Sequence, residues 1–145
     1  MPVLQLDPLA QPDATRMAAA ARDWMVDKLG DTPVVIAASA EPDKVTALQQ
    51  MLGRDGAGAL IEQTLARIAE ELVSRGVRRL VVAGGETAGA VVSRLGVRRL
   101  RIGGEIDPGV PWTYAEGGAT PLLLALKSGN FGARDFFIKA FEILP

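Results

Sequence analysis

The sequence predicts an α/β domain of 145 residues, with helices layered on both sides of a mainly parallel central sheet. Short apolar runs of the kind buried inside parallel sheets alternate with longer stretches whose apolar residues recur at helical spacing. Glycines lie where the apolar runs give way to the helical stretches, as turns there require. The resulting order is helix, strand, helix, helix, strand, helix, strand, strand, helix, which is typical of a layered α/β fold.

The N-terminal segment predicts an extended lead-in followed by a helix. Residues 1–12 have no apolar period and are interrupted by prolines, so they are expected either to pack as an edge or to hang free. Asp13 is a typical N-cap, and the helix is expected to reach about Leu29, where Gly30 stops it.

The first buried strand is expected at residues 33–38, and a turn containing Ser39 follows it. Pro42 then suits the first position of another helix. Ser39 is a candidate ligand contact, because open α/β sheets bind ligands at the carboxyl ends of their strands. A serine that only shapes the turn or caps the helix is the alternative.

The next helix has the clearest periodicity. Residues 53–58 contain three glycines and are expected to form a flexible loop. A helix is expected over residues 59–75, and Gly76 ends it. The apolar residues that predict this helix recur every three or four positions: Ile61, Leu65, Ile68 and Leu72.

Residues 78–93 are the stretch around which the chain is organised, since they read as a strand, a glycine turn and a helix. Residues 80–83 are apolar, Gly84 and Gly85 form the turn, and Thr87 is expected to cap the helix. Backbone N–H groups and the positive end of the helix dipole would meet at such a turn, and phosphate is the usual anion there. A glycine pair that merely turns the chain is the alternative.

Glu86 is a further indication of a ligand site at this turn. A carboxylate beside a phosphate site repels the ligand unless it contacts a metal, a sugar hydroxyl or a backbone amide. Its placement in the turn therefore suggests a specific contact. A solvated acid that only complements the helix dipole is the alternative.

A partial copy of this stretch comes next in the chain. Residues 76–80 (Gly-Val-Arg-Arg-Leu) recur as residues 96–100, and each copy leads to a Gly-Gly-Glu, at residues 84–86 and 103–105. The repetition predicts a second strand-end turn beside the first. Residues 106–112, in which proline alternates with glycine, are then expected to form a stiff loop over the sheet edge.

The C-terminal part predicts an apolar strand, a polar loop and a helix. The strand is expected from Thr120 to Leu126. A cation, a hydroxyl, amide donors and open backbone come after it, which suits phosphate, although an ordinary turn is the alternative. Asp135 is expected to open a helix with Phe137, Phe141 and Leu144 facing inward. The candidate ligand contacts in the loop are Lys127, Ser128, Gly129 and Asn130.

Composition removes several function classes. The absence of cysteine excludes disulfides and a cysteine nucleophile, and the absence of histidine excludes the commonest general base and zinc ligand. No apolar run approaches the roughly 20 residues of a membrane span, and the start lacks a basic signal-peptide region, so a cytoplasmic location is expected. The net charge of −1 argues against nucleic acid as the main partner.

Arginine is concentrated in the middle of the chain, where Glu86 is the only acid between residues 75 and 101. Such a cluster would attract a polyphosphate electrostatically. A solvated rim is the favoured alternative, since arginines at strand starts lie at the opposite end from the ligand crevice. The arginines concerned are Arg75, Arg78, Arg79, Arg94, Arg98, Arg99 and Arg101.

Three ordered blocks resemble a known family. The blocks GGETAGAVVSRLGV, IGGEIDPGVPW and LALKSGNFGARDFFIKAF, between residues 84 and 141, are similar to the C-terminal nucleotide-binding domain of the four-carbon acid sugar kinases. The stretch VVIAASAEPDKVTALQ at residues 34–49 is similar more loosely. Members of that family phosphorylate tetronates with ATP; their N-terminal domain binds the acid sugar and their C-terminal domain holds ATP.

The resemblance implies an ATP site, with Mg²⁺ bridging the phosphates. It implies that residues 84–87 surround the phosphates and that Ser39 and Gly129 complete the site, with Lys127, Ser128 and Asn130 near it. It assigns no metal-ligating residue and no catalytic base. Phosphoryl transfer depends on positioning and charge stabilisation more than on a protein nucleophile, so a domain without histidine or cysteine suits the donor half of the site.

The chain is therefore expected to be the ATP half of a kinase for erythronate, threonate or oxo-tetronate. The sugar-binding domain is expected on a missing N-terminal part or a separate chain, so that the 145 residues alone turn over little or nothing. A noncatalytic nucleotide-sensing or interaction module and a structural domain that binds nothing are the alternatives. Homo-oligomers are a further possibility at the sheet face that the sugar domain would cover.

Overall fold

The chain divides into two compact units, residues 1–68 and 69–145. The computed structural model describes residues 1–38, 41–116, 121–128 and 132–143.

The first unit contains a two-stranded sheet and three helical segments. Its elements are β1 (Val3–Gln5), α1 (Ala14–Met25), β2 (Val35–Ala37), α2 (Pro42–Leu52) and the first part of α3 (Arg54–Ser74). β1 pairs with β2 in parallel, with Val3 opposite Val35. The lead-in thus packs as an edge strand, the first of the two alternatives for residues 1–12.

The helix predicted after the lead-in is present. Asp13 caps α1, because its Oδ1 accepts a hydrogen bond from the Arg16 backbone N at 2.9 Å. The helix ends at Met25, earlier than the expected Leu29. Met17, Ala18, Ala21 and Met25 are its buried residues.

The prediction of a flexible loop at residues 53–58 is wrong for residues 54–58, which are helical. Gly53, at φ +77°, separates α2 from α3, and α3 then begins at Arg54. Ala57 is buried, so packing of this turn outweighs the weak helix propensity of its glycines.

Among the described residues no helix is long and apolar enough to cross a membrane.

The second unit is built on a four-stranded sheet. After the end of α3 its elements are β3 (Arg79–Ala83), α4 (Gly85–Arg94), β4 (Arg99–Asp107), β5 (Val110–Glu116), β6 (Leu122–Lys127) and α5 (Phe136–Glu142). The strand order is β3-β6-β5-β4. β3 and β6 are parallel, whereas β5 is antiparallel to both of its neighbours. The expected α/β class with a central sheet is confirmed.

The second Gly-Gly-Glu does not form a strand-end turn, so that expectation is wrong. Residues 103–105 lie inside β4, where irregular pairing between Ile102 and Glu105 accommodates the glycines. The loop expected at residues 106–112 is instead the tip of a hairpin, with Gly109 at φ +82° between β4 and β5. β4 is the edge strand farthest from β3.

The sheet of the second unit is buried on both faces. Leu124 and Ala125 are adjacent in β6, point to opposite faces and are both fully buried. On the face of Ala125 the core contains Trp112, whose Nε1 donates a hydrogen bond to the Ala140 carbonyl at 2.9 Å. Trp112 therefore serves packing, and it ties β5 to α5.

The inward face of α5 differs from the prediction. Phe136 is almost fully buried, whereas Phe137 is 37% exposed. Phe141 packs against the core edge-on to Trp112, with ring centroids 5.9 Å apart. Asp135 is the N-cap of α5, as predicted. Phe136 and Ala140, four residues apart, form the buried side of the helix. Leu144 lies outside the described residues.

Candidate functional site

The carboxyl ends of β3 and β6 meet at one edge of the second unit's sheet. Ala83, the last residue of β3, is paired with Lys127, the last residue of β6. The Gly84 backbone N then donates a hydrogen bond to the Lys127 carbonyl at 2.8 Å. We call residues 84–87 and 127–128 the β3–β6 edge. Two turns that are far apart in the sequence are therefore joined directly.

Gly84 is the residue that lets the chain turn from β3 into α4. Its φ of +104° lies in a region that side-chain-bearing residues rarely adopt. The first intrahelical hydrogen bond runs from the Ala88 N to the Gly84 carbonyl at 2.8 Å. The N–H groups of residues 85–87 are therefore the first of the helix, which have no acceptors within it, and they lie at the positive end of its dipole.

Thr87 does not cap α4, so that expectation is wrong. The helix begins at Gly85, with Gly84 as its N-cap, and the cap makes no side-chain hydrogen bond. Thr87 is the third residue of the helix, and its Oγ1 lies near Gly84, since a Cβ atom at Gly84 would be 3.5 Å from that oxygen. Thr87 thus contributes a hydroxyl to the edge rather than a cap.

The space in front of α4 is open at Gly85. A Cβ atom at Gly85 would meet no heavy atom within 4 Å among the described residues. Glu86 is exposed in the first turn of the helix, as is Ser128 after β6. An anion that approached this edge would find helix N–H groups, two hydroxyls and the Lys127 ammonium group.

Lys127 is held by its surroundings. Its Nζ lies 3.5 Å from the Ser128 carbonyl oxygen. Its stem lies against Gly132, because a Cβ atom there would be 3.1 Å from Lys127 Cε and 2.9 Å from Phe136 Cδ2. Gly132 also has φ +91°. The backbone angle therefore favours glycine at this position, and the Phe136 ring leaves little space for a side chain there.

An ion pair between a buried carboxylate and a half-buried lysine lies beyond Gly132, and sequence reasoning missed it. Asp107 is 5% exposed; its Oδ2 accepts a hydrogen bond from the Ala133 backbone N at 3.1 Å, and its Oδ1 accepts one from Lys139 Nζ. The hydrogen bond from Lys139, followed by that from Ala133, lowers the pKa of Asp107, and the Asp107 carboxylate raises the pKa of Lys139. The available signal was a carboxylate between the apolar Ile106 and Val110.

Six of the predicted site residues come together, and three lie outside the described residues. The three are Ser39, Gly129 and Asn130. Ser39 follows β2 in the first unit, and the other two follow Ser128. The six that the structure brings to the β3–β6 edge are Gly84, Gly85, Glu86, Thr87, Lys127 and Ser128.

Several arginines of residues 75–101 have partners of their own. Arg78, which precedes β3, donates to the Val73 and Val77 carbonyls at 2.8 Å. Arg94, at the far end of α4, pairs with Glu70 at 2.6 Å. Arg101 on β4 pairs with Glu116 at 3.2 Å and lies over the Tyr114 ring. These three positions lie away from the β3–β6 edge, which favours the rim interpretation.

The first unit contains a separate shallow pocket of about 160 Å³. It is lined mainly by apolar side chains, and Ala38, which follows β2, is part of its wall. Lys44 and Arg54 also line it, and Lys44 Nζ lies 3.5 Å from an Asp7 carboxylate oxygen. Its position matches the strand end at which Ser39 was predicted to contact a ligand.

Comparison with known proteins identifies similar chains. The family model described as the nucleotide-binding C-terminal domain matches residues 1–137. A protein of Methylobacterium radiotolerans named 3-oxo-tetronate kinase is 53% identical over 144 residues, which cover 99% of this chain and 34% of that protein. A Salmonella typhimurium protein of the same name is 40% identical over 85% of this chain and 29% of its own length. The chain spans about a third of the length of these relatives.

Solved structures agree with the fold. A crystal structure of Haemophilus influenzae protein HI1011 matches with a TM-score of 0.85 and 36% identity, over 98% of this chain and 34% of that one. A Bordetella bronchiseptica structure of a domain of unknown function matches with a TM-score of 0.71 at 22% identity, over 96% of this chain and 33% of that one. The second likeness bears on the fold alone.

Proposed function

Because the chain belongs to the nucleotide-binding C-terminal domain family, we propose that it binds ATP, with the phosphates at the β3–β6 edge. The hydrogen bond from the Gly84 N to the Lys127 carbonyl carries this proposal. It joins a helix N-terminus to a strand end that bears a lysine, and these are the two sources of positive potential that phosphate binding uses most often.

Each residue of the edge has a role that follows from its chemistry. The backbone N–H groups of Gly85, Glu86 and Thr87 donate to phosphate oxygens, and the open space at Gly85 admits those oxygens. Lys127 supplies a positive charge, and Ser128 supplies a hydroxyl. Ser39, Gly129 and Asn130 remain predictions from the family resemblance.

Mg²⁺ fits this site as a companion of the nucleotide rather than as a resident of the protein. Among the described residues no group of three or more acidic, histidine or cysteine side chains is placed to hold a metal ion. Mg²⁺ commonly binds through one or two carboxylates together with phosphate oxygens and water. Glu86, exposed beside the helix start, is the carboxylate proposed to face it.

We further propose that the complete enzyme phosphorylates a four-carbon acid sugar of the 3-oxo-tetronate class, as the names of the relatives indicate. Bound ATP supplies the phosphoryl group, and these 145 residues orient it and balance its charge. The acceptor sugar and the base for its hydroxyl are assigned to residues outside this chain, since the chain covers only 34% of the Methylobacterium radiotolerans relative. The chain alone is then expected to transfer no phosphate.

Titration calorimetry of the 145-residue chain with ATP and Mg²⁺ tests the binding proposal. We expect saturable heat with ATP and a weaker response with AMP, because ATP brings three phosphates to the N–H groups and the lysine of the β3–β6 edge and AMP brings one. A folded chain that gives no heat with either nucleotide would overturn the proposal. Equal affinity for ATP and AMP would show that the additional phosphates of ATP do not bind at the β3–β6 edge.

A complementation experiment tests the kinase proposal. The part of the Methylobacterium radiotolerans relative that this chain does not cover is added as a separate polypeptide, and ATP-dependent phosphorylation of 3-oxo-tetronate is measured. Activity is expected only when both polypeptides are present. Phosphorylation by the 145 residues alone would contradict their expected inactivity. ATP binding without activity in the mixture would favour a noncatalytic nucleotide sensor.

A further inference from the structure

A buried carboxylate is connected to the proposed phosphate-binding lysine through backbone alone. Asp107 ends β4, two strands away from β6 in the sheet order. It nevertheless accepts a hydrogen bond from the backbone N–H of Ala133, the residue after Gly132. Gly132 lies close to the stem of Lys127, since a Cβ atom built on it would be 3.1 Å from Lys127 Cε. One side chain thus fixes a segment that borders the lysine from outside the β3–β6 edge.

The contacts leave this segment little freedom. The Phe136 N donates to the Ala133 carbonyl at 3.1 Å, while the Ala133 N is held by Asp107. Both backbone groups of Ala133 are therefore engaged. Gly132 lies between the Phe136 ring and Lys127 Cε, at distances that leave no room for a Cβ atom. A shift of Ala133 would consequently move the surface on which the lysine stem rests.

The cost of burying a carboxylate indicates that Asp107 does more than stabilise the fold. A buried carboxylate is costly unless it is paired and hydrogen-bonded, and Asp107 satisfies both conditions through Lys139 and Ala133. A buried charge is weak evidence for a gain in stability, because apolar residues of similar volume often serve as well. The ion pair provides directional anchoring of a backbone N–H, which an apolar pair does not.

We propose that Asp107, supported by Lys139, is a positioning residue that sets the Lys127 ammonium group for the nucleotide phosphates by anchoring Gly132 and Ala133. The proposal rests on the proposed function, because it assumes that Lys127 contacts phosphate. A lysine loses much side-chain entropy when it is ordered. A stem already fixed by its neighbours has less to lose on binding, and this raises the affinity for phosphate-rich ligands.

The test compares ATP and AMP affinities of the wild type and of Asp107→Ala by calorimetry in the presence of Mg²⁺. Asp107→Ala removes both acceptor oxygens, and we expect roughly a tenfold loss of ATP affinity, about the effect of one misplaced charge-assisted contact. AMP affinity is expected to stay within about twofold, because AMP reaches fewer of the phosphate contacts. Glu142→Gln, which changes the net charge equally on an exposed side chain at the end of α5, is the matched control and is expected to leave both affinities unchanged.

A double-mutant cycle isolates the route through the lysine. In a Lys127→Met background, Asp107→Ala should no longer change ATP affinity, since the group that it positions is absent. If Asp107→Ala does not fold, Asp107→Asn replaces it. The Asn carbonyl oxygen can serve only one of the two former donors, so a smaller loss in the same direction is expected.

Several results would overturn the proposal, and they are distinguishable from failure of the proposed function. A wild type that binds neither nucleotide refutes both. Suppose that the wild type binds ATP more tightly than AMP and that the Asp107 variant has the same ratio of ATP to AMP affinity. This result refutes only the positioning role. Equal losses for ATP and AMP would make Asp107 a purely structural residue, and so would an undiminished effect in the Lys127→Met background.

Discussion

The two Gly-Gly-Glu segments of the second unit have the same sequence but different secondary structure. Residues 84–86 end a buried strand and start α4, with Gly84 at φ +104°. Residues 103–105 lie inside the edge strand β4 and only disturb its pairing. The residues before each copy are also alike, since residues 76–80 recur at 96–100. The residues directly before the copies differ, since three apolar residues (81–83) precede the first and Arg101 and Ile102 precede the second. The residues C-terminal to the two copies differ as well.

The residues after the first copy favour a helix, whereas those after the second copy prevent one. After Glu86 the chain continues with Ala88 and Val91, which have helical spacing and are both buried. After Glu105 come Ile106 and Asp107 and then a proline-glycine turn. A helix starting at the second copy would be broken within its first turns. The chain instead continues as a strand and turns into β5.

The two copies also differ in what surrounds their glycines. The second glycines, Gly85 and Gly104, both face open space among the described residues, but the first glycines differ. A Cβ atom at Gly84 would come no closer than 3.5 Å to Thr87, whereas one at Gly103 would lie 2.8 Å from Tyr114 Cε2 and 3.0 Å from the Trp112 carbonyl oxygen. The first copy thus has glycine where a ligand can approach, and the second has glycine where an aromatic ring already lies. We infer that identical residues serve binding in one place and packing in the other.

The largest expected effect comes from blocking the open glycine. Gly85 has no positive φ, so Gly85→Val is compatible with the backbone, but its side chain would fill the proposed phosphate space. We expect at least about a hundredfold loss of Mg·ATP affinity by calorimetry, because the helix N–H groups become inaccessible. The far-ultraviolet circular dichroism spectrum should stay that of the wild type.

Gly104→Val is the matched control in the second copy. Gly104 is exposed, has no positive φ and, among the described residues, has no neighbour within 4 Å of its Cβ position. Valine also suits a strand, so ATP affinity and stability should be retained. Wild-type affinity in Gly85→Val, or an equal loss in both variants, would remove the functional difference between the copies.

The next effect is on stability and belongs to the second copy. Gly103→Ala introduces a methyl group against a ring and a backbone carbonyl, and the carbonyl cannot move without disturbing β5. Overpacking of this kind costs about 1–3 kcal/mol of unfolding free energy. Urea denaturation measures it, with Gly104→Ala as the control that should stay near the wild type. An unchanged midpoint for Gly103→Ala would show that Tyr114 moves aside freely.

Sequence reasoning succeeded where local signals agreed with one another. The strand, glycine turn and helix at residues 79–94 are present as predicted, because apolar run, turn residues and helical spacing all favour the same structure. Pro42 at the start of α2 and Asp13 at the cap of α1 are similar cases. The adjacency of the turns after β3 and β6 also agrees with the rule that parallel strands present their carboxyl ends together.

Sequence reasoning failed where distant residues decided the outcome. The β4–β5 hairpin was expected as a loop because its prolines and glycines dominate the local pattern, whereas pairing of β5 with β6 stabilises the extended chain. Asp107 was missed because its partners, Ala133 and Lys139, are 26 and 32 positions away. Phe136 and Phe137 could not be distinguished because the inward face of α5 is set by packing against Trp112 and Ala125, which lie in strands β5 and β6.

The position two residues after each glutamate gives a third, pH-dependent difference. It is Ala88 in the first copy and Asp107 in the second. The pKa of Asp107 is lowered in the folded protein, so its contribution to stability is present above the ordinary pKa of 3.8 and is lost as the pH falls through the lowered value. The pKa of Lys139 is raised, so its contribution is present below 10.5 and is lost as the pH rises through the raised value.

Urea denaturation of the wild type and of Asp107→Asn between about pH 7 and pH 2 measures the acid limb. The wild type should be the more stable at neutral pH, and the difference should shrink below the ordinary pKa of the carboxyl group. A difference that is constant over this range would mean that the Asp107 charge contributes nothing beyond the shape of its side chain.

The smallest effect separates the two glutamates themselves. Glu86 lies in the first turn of α4, where its negative charge is favourable to the helix dipole, whereas Glu105 lies in a strand, which has no comparable dipole. In low salt and without nucleotide, Glu86→Gln should lower the unfolding free energy by about 0.5 kcal/mol. The loss should largely vanish at about 1 M sodium chloride, where charges are screened within ~3 Å. Glu105→Gln should show no such salt dependence in the same urea titrations, and a matching dependence would mean that the helix start at the first copy confers no electrostatic difference.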